Sequence, residues 1–212
     1  MPQHTQVEIE RKYDVDADTT PPALVGVGAV AVQAEPETAE LVATYLDTAD
    51  LTLANARIAV RVRRGGHDEG WHVKLAPGEE GRVELHWALS EGDGDEPPVA
   101  LREAVGQALG DLPLGDLPLA PIARIVNTRV TTVLRDAAGF DLAELCDDHV
   151  RGENLRSGGS ESWREWEVEL LSGAPDTPAG RTALLDGIEE RLLAAGARPA
   201  ASDSKLQRVL SL

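Results

Sequence analysis

Lysine is nearly missing from this chain. Of its twenty basic residues only Lys12, Lys74 and Lys205 are lysines; the rest are arginines. Survivors so few and so widely spread mark positions where a compact ammonium is required rather than a planar guanidinium fork. Cysteine is rarer still: Cys146 stands alone, which excludes an internal disulfide and points to a reducing compartment. Aromatic residues make up 3% of the sequence, chiefly four tryptophans, and are expected to pack walls rather than stack on bases. No apolar run approaches the length of a membrane span and the polar N-terminus does not resemble a signal peptide, so the expected location is the cytoplasm.

Positive charge is also in deficit, with a formal net charge of −17. A far field of that sign repels nucleic acid, and no basic stripe interrupts it, so neither nucleic acid nor a membrane is an expected partner. The five histidines lack zinc spacing, and there is no Gly-x-Ser-x-Gly or Walker string. At 212 residues and 42% apolar content the chain suits one domain, 1–212, without repeats, as a monomer or homodimer.

What the sequence does contain is alternation. Strands are expected near 6–15, 27–34, 40–48, 57–65, 70–76, 81–90, 121–136, 139–150 and 161–172, with Gly65-Gly66 and Pro77 to Gly81 as hairpin turns. Val99–Leu109 reads as a short helix, Leu112–Pro121 as irregular chain outside the sheet, and Thr177-Pro178 as the start of a longer helix. Ser202 or Ser204 would cap a terminal helix carrying Lys205.

In a strand alternate side chains share a face, so Glu8, Glu10 and Lys12 of the string ExExK project together. Arg61 and Arg63 do likewise, as do His72 and Lys74, Arg82, Glu84 and His86, and Glu165, Glu167 and Glu169. Each strand has a charged and an apolar face, and one such strand alone is most simply a solvated surface. Here acids and bases sort by strand, which suggests a closed barrel with a charged lumen. A purely structural salt-bridge network is the competing reading, but it would leave like charges adjacent in the empty lumen. Asp47 reads as a turn cap; Asp147 shares parity with His149, and Asp148 faces the other way.

Taken in order, these strings resemble the CYTH family, also called the triphosphate tunnel metalloenzymes. ExExK is similar to that family's signature, Tyr45-Leu46-Asp47-Thr48 with Ile58 to Arg63 to its next block, and Trp71-His72-Val73-Lys74 to its lysine strand. Arg82-Val83-Glu84, Arg129, Asp147-Asp148-His149-Val150, Trp166 to Leu170 and Ser204-Lys205 resemble the later blocks. The resemblance implies an α+β, mainly β fold: a closed antiparallel eight-stranded tunnel barrel with a charged lumen and a few outer helices. It implies metal-dependent cleavage of a triphosphate, the partner being a small phosphorylated substrate such as tripolyphosphate or a nucleoside triphosphate.

On that reading Lys12, Arg61, Arg63, Lys74, Arg82, Arg129 and Lys205 bind the substrate, with Lys12, Lys74 and Arg63 in the catalytic role. Glu8, Glu10, Glu167 and Glu169 hold Mg²⁺ or Mn²⁺, with Asp147 and Glu165 in support. The family's cyclases carry His-Phe where this chain has Pro2 and Gln3, and its thiamine-specific members a tryptophan where this chain has Ala59. Asn127 replaces a basic residue common in the family. The expected activity is therefore an inorganic triphosphatase, the alternatives being a class IV adenylyl cyclase and a non-catalytic polyphosphate sensor.

Overall fold

The computed structural model describes the chain except residues 3, 79, 80, 95 and 111–117. Among the described residues eleven strands form one antiparallel sheet, with four α-helices around it. The chain begins with β1 (His4–Glu8), β2 (Glu10–Asp14), the two-residue β3 (Val32–Gln33) and β4 (Glu37–Asp47). A single helical turn, α1 (Thr52–Asn55), leads into β5 (Ala59–Arg64), β6 (Gly70–Lys74) and β7 (Arg82–Trp87). Helix α2 (Val99–Leu109) precedes the long strands β8 (Ala120–Arg135), β9 (Asp141–Asn154) and β10 (Ser160–Leu170). Then follow α3 (Pro178–Ala194), β11 (Arg198–Pro199) and α4 (Lys205–Leu210). No helix among the described residues is long and apolar enough to cross a membrane.

The ladder runs β1-β7-β6-β5-β4-β8-β9-β10-β2-β11, with β3 beside β8. Hydrogen bonds therefore do not close the sheet, and it has eleven strands rather than the eight expected. Two of the extra strands are the two-residue β3 and β11, and the third comes from the ExExK segment, which reads as one strand but breaks at Ile9. Ahead of the break β1 pairs with β7, Glu8 opposite Arg82; beyond it β2 pairs with β10, Lys12 opposite Glu167. The Ile9 carbonyl accepts a hydrogen bond from Leu170 N at 2.9 Å. One short segment thus serves both ends of the ladder.

The strand expected at 27–34 shrinks to Val32–Gln33. Gly26 and Gly28 take positive φ, and the chain doubles back through bonds from Val27 N to Leu24 O and from Val30 N to Val27 O. Helix α2 has the expected bounds, whereas residues 112–117 of the irregular segment lie outside the described residues and Ala120 already belongs to β8. Thr177 caps α3 and Ser204 caps α4, each side-chain oxygen accepting from the backbone N–H three residues on, at 3.1 Å.

The helices cover the sheet from two sides. On the outside, Leu184, Leu185, Ile188 and Leu192 of α3 pack on Tyr13, Leu145, Trp166 and Val168. Leu101, Val105 and Leu109 of α2 pack on Val60, Val62, Trp71, Val73 and Trp87. The fully buried Trp71, Trp87 and Trp166 are wall packing, as expected; each ring removes roughly 150–250 Å² from water, on the order of 4–6 kcal/mol at most. On the inner face, Leu206 and Val209 of α4 pack on Ala43, Tyr45, Ile125 and Val150. A Cβ on Gly152 would lie 2.3 Å from Val209 Cγ2, so a side chain there would push α4 off the sheet.

Candidate active site

Directly opposed residues of an antiparallel ladder share a face, so register carries the charged face from strand to strand. Gln6 lies opposite Glu84, Glu84 opposite Lys74, and Arg61 opposite both His72 and Tyr45. Along the other arm Arg129 lies opposite Asp148, Asp148 opposite Glu165, and Glu10 opposite Glu169. All of these side chains but His72, Asp148 and Glu165 line a cavity of about 300 Å³.

Glu8, Glu10, Lys12, Arg61, Arg63 and Lys74 line that cavity, as do Arg82, Arg129, Glu167, Glu169 and Lys205. Glu165 is buried beside it, paired with Lys205 at 2.6 Å. Asp147 is not brought in. Its carboxylate takes two bonds from Arg164, at 2.8 and 2.7 Å, on the opposite face. The inward aspartate is Asp148, which is 0% exposed. Ala143 and Leu145 belong to the core under α3, and Asp147 continues their parity. Those two apolar residues were the available signal, and they outweigh the exposed His149.

The ion pairs fall into two groups. In the first, Lys205 Nζ reaches Asp148 at 2.8 Å, Glu165 at 2.6 Å and Glu167 at 2.8 Å. Arg129 bridges Asp148 and Glu167 at 2.6 and 2.5 Å, and Lys12 pairs with Glu167 and, at 2.8 Å, with Glu10. In the second, Lys74 Nζ lies 2.7 Å from Glu8, Arg61 Nη2 lies 3.2 Å from Glu84, and His72 Nδ1 lies 2.9 Å from the same Glu84 oxygen. Arg82 donates instead to the carbonyls of Leu75, Arg57 and Lys74, where it braces the β6–β7 hairpin.

The CYTH domain pattern matches residues 6–192. The chain belongs to the CYTH family. It is 39% identical over 216 residues to an uncharacterized protein of Mycobacterium tuberculosis, found in strains H37Rv and CDC 1551. That match covers 96% of this chain but 40% of the relative, so the chain spans well under half the length of those proteins. Among solved structures it is similar to a putative adenylate cyclase from Bacillus halodurans, with TM-score 0.63, 19% identity, and 96% and 97% of the two chains covered. It is also similar to a putative adenylyl cyclase from Hippeastrum described as having a dominant triphosphatase activity, with TM-score 0.52, 18% identity, and 96% and 95% covered. At such identities these two likenesses establish the fold.

Within this CYTH fold the two groups of carboxylates differ in how well they are matched by cations. Burial disfavours the charged form of Glu167, yet Lys12, Lys205 and Arg129 override it and hold its pKa well below the ordinary carboxylate range. Asp148 is pulled down to about 2 against the same burial, by Lys205 and Arg129. Elsewhere burial prevails. Glu169 is pushed up to about 7 by desolvation, against the pull of Lys74 and with Glu10, Glu144 and Glu167 adding to the rise. Glu8 is raised too, by burial and then by Glu84 and Glu10, against Lys74.

Asp148, Glu165 and Glu167 bring ligand oxygens within 4.8 Å of one another, a spacing that suits a metal. The Lys205 ammonium contacts all three. Glu8, Glu10, Glu144 and Glu169 form a group in which acids outnumber ammoniums, since Glu8 has Lys74 and Glu10 shares Lys12 with Glu167, and a hard divalent ion would relieve the remaining repulsion. The basic arm has the complementary deficit: Arg61 Nε and Arg63 Nε are buried without an acceptor.

Sequence reasoning missed Glu144, Tyr45 and Asp68 as cavity residues, and Asp148 as a buried acid on the same face. Tyr45 hydroxyl accepts from Arg61 Nη1 at 3.3 Å, and Asn127, noted as a departure, donates to Asp148 at 2.9 Å. Asp47, read as a cap, is one: Thr48 N, Leu53 N and Ala54 N all donate to its carboxylate.

Proposed function

We propose that this chain hydrolyses a triphosphate with the help of a divalent metal, in a tunnel closed by the split N-terminal strand, and that inorganic tripolyphosphate is its preferred substrate. One observation carries the reading: buried arginines with unfilled donors face buried carboxylates whose pKa is raised, across a single small cavity. A chain of phosphates meets both needs, its oxygens accepting from the arginines while a cation shared with the carboxylates balances the acids.

Arg61, Arg63 and Arg129 hold phosphate oxygens by paired N–H bonds, and Lys12 and Lys74 act as point charges near the reacting phosphoryl group. Glu8, Glu10 and Glu169, with Glu144 beside them, would hold Mg²⁺ or Mn²⁺, which supplies charge neutralisation and a more acidic water. Glu165 and Glu167 keep Lys205, and with it α4, in place against the inner face.

A second reading has its own support. A larger cavity of about 790 Å³ shares Glu8, Glu10 and Arg82 with the first and is lined by Ile9, Ile58, Leu206 and Leu210, which gives room for a nucleoside. Adenylyl cyclase activity is the form that reading takes. Incubation with tripolyphosphate or ATP, with Mg²⁺ or Mn²⁺, separates the possibilities by product. Orthophosphate released fastest from tripolyphosphate is the expected result. Cyclic AMP with pyrophosphate would overturn it in favour of the cyclase, and binding without turnover would leave a sensor.

A further inference from the structure

The β5–β6 hairpin carries an acid that the proposed chemistry does not use. Gly65 and Gly66 turn the chain at φ 83 and 80, and a Cβ on Gly65 would lie 2.1 Å from Glu40 O on β4. Only glycine permits so close an approach, and it folds the hairpin back over the end of β5. The fold is then pinned. The Glu69 carboxylate accepts from Gly65 N at 3.1 Å, and His72 Nε2 lies 2.9 Å from the Asp68 carbonyl. Asp68 consequently sits in the cavity wall with its carboxylate ion-paired to Arg63.

The two partners differ in surroundings. The Arg63 side chain is 8% exposed and that of Asp68 59%. Burial, with Arg61 and Arg129 beside it, pushes the Arg63 pKa down to about 9, so a positive charge here is costly in the empty channel. Asp68 offsets that cost from the solvent side, yet Arg63 Nε still has no acceptor. A carboxylate offers two oxygens; a terminal phosphoryl group offers three and more charge. Arg63 is thus partnered well enough to be stable and poorly enough to exchange.

We propose that Asp68 is an internal anionic latch: it occupies the phosphate position on Arg63 in the empty protein, and substrate must displace it to bind. The proposal rests on the triphosphate reading of the cavity. It assigns Asp68 a part in setting affinity, since a site latched most of the time binds more weakly by the fraction of time it is open. Trimmed anions with too little charge to displace the carboxylate are disfavoured, so the latch also selects for longer phosphate chains.

Glu69 supplies the control. It carries the same charge on the same hairpin, but its carboxylate bonds the backbone of Gly65 rather than an arginine. Calorimetric titration of tripolyphosphate without metal into wild type, Asp68→Asn, Asp68→Ala and Glu69→Gln tests the latch. Both Asp68 variants are expected to bind about tenfold tighter than wild type, a latch closed about nine-tenths of the time, with Glu69→Gln within about twofold. The ligand-free Asp68 variants should also melt below wild type, and at saturating tripolyphosphate match or exceed it. A merely structural aspartate would lower both melting points. Wild type that binds while the Asp68 variants bind no tighter than Glu69→Gln overturns the latch and leaves the triphosphate reading standing. Wild type that does not bind tripolyphosphate at all overturns the reading, and the latch with it.

Discussion

Glu167 and Glu169 lie two residues apart on β10, on the same face and both largely removed from water, yet they settle into opposite states. Glu167 faces Lys12, Lys205 and Arg129 and stays ionised far below the ordinary range. Glu169 faces Glu10 and Glu144, receives one bond from Gln6 at 2.7 Å, and is held half-protonated near neutrality. Residue type and strand are shared, so the difference comes from what the ladder sets opposite each. One end of the channel is a dense ion-pair network that holds α4; the other is an acidic patch in which Lys74 and a shared Lys12 leave the acids in excess. A cation site is therefore better sought where buried acids are unmatched than where they are closest together.

The comparison breaks most visibly in turnover. Glu10→Gln removes an acid from the unmatched group while Lys12 keeps Glu167, so the fold should survive and phosphate release from tripolyphosphate at limiting Mg²⁺ should fall at least about 100-fold. Near-normal activity in that variant would place the metal elsewhere. Lys205→Ala attacks the dense network and leaves three buried carboxylates one cation short, a loss of about 3–5 kcal/mol in urea unfolding. If the loss is under about 1 kcal/mol, the two groups do not differ in kind.

Glu169→Gln sharpens the contrast through pH. The folded-state pKa of Glu169 is raised from 4.5 to about 7, so the folded protein binds this proton more tightly than the unfolded chain. Stability from this group is full below about pH 4.5 and declines up to about pH 7. The variant should match wild type near pH 4 and melt higher at pH 8, by about 2–4 °C for each kcal/mol relieved. Added Mg²⁺ should narrow that gap by stabilising wild type, and a variant less stable at pH 8 would remove the basis for an unmatched patch. The smallest effect is expected from Asp147→Asn, which touches Arg164 and, at 3.7 Å, His149 on the outer face and should leave kcat within about twofold.

Much of this was legible because a strand has a period of two. Alternation alone located β4 to β10 to within a few residues and set Arg61, Arg63, Lys74, Glu167 and Glu169 on one face. Asp147 and Asp148 show where it ran out: parity fixes which residues share a face, and only the core contacts of Ala143 and Leu145 say which face is inside. The stretch 27–34 has the composition of a strand, but Gly26 and Gly28 spend it on turns. Asp68 was out of reach for another reason. Its contact with Arg63 depends on how tightly Gly65 folds against Glu40, a distance that no local pattern encodes.

The break at Ile9 also sets an order of events in time. Glu8 and Glu10 leave a ribosome well ahead of their partners, since Glu8 pairs with Arg82 and Glu10 with Glu169. At roughly 5–20 residues per second, the signature segment waits several seconds for its first neighbour and longer for its second. Until then it is an unpaired strand carrying alternate valine and isoleucine, and the cavity does not exist. Sequence separations so large make pairing of this segment intrinsically slow, and they make the earliest part of the candidate site to be synthesised the last to be assembled.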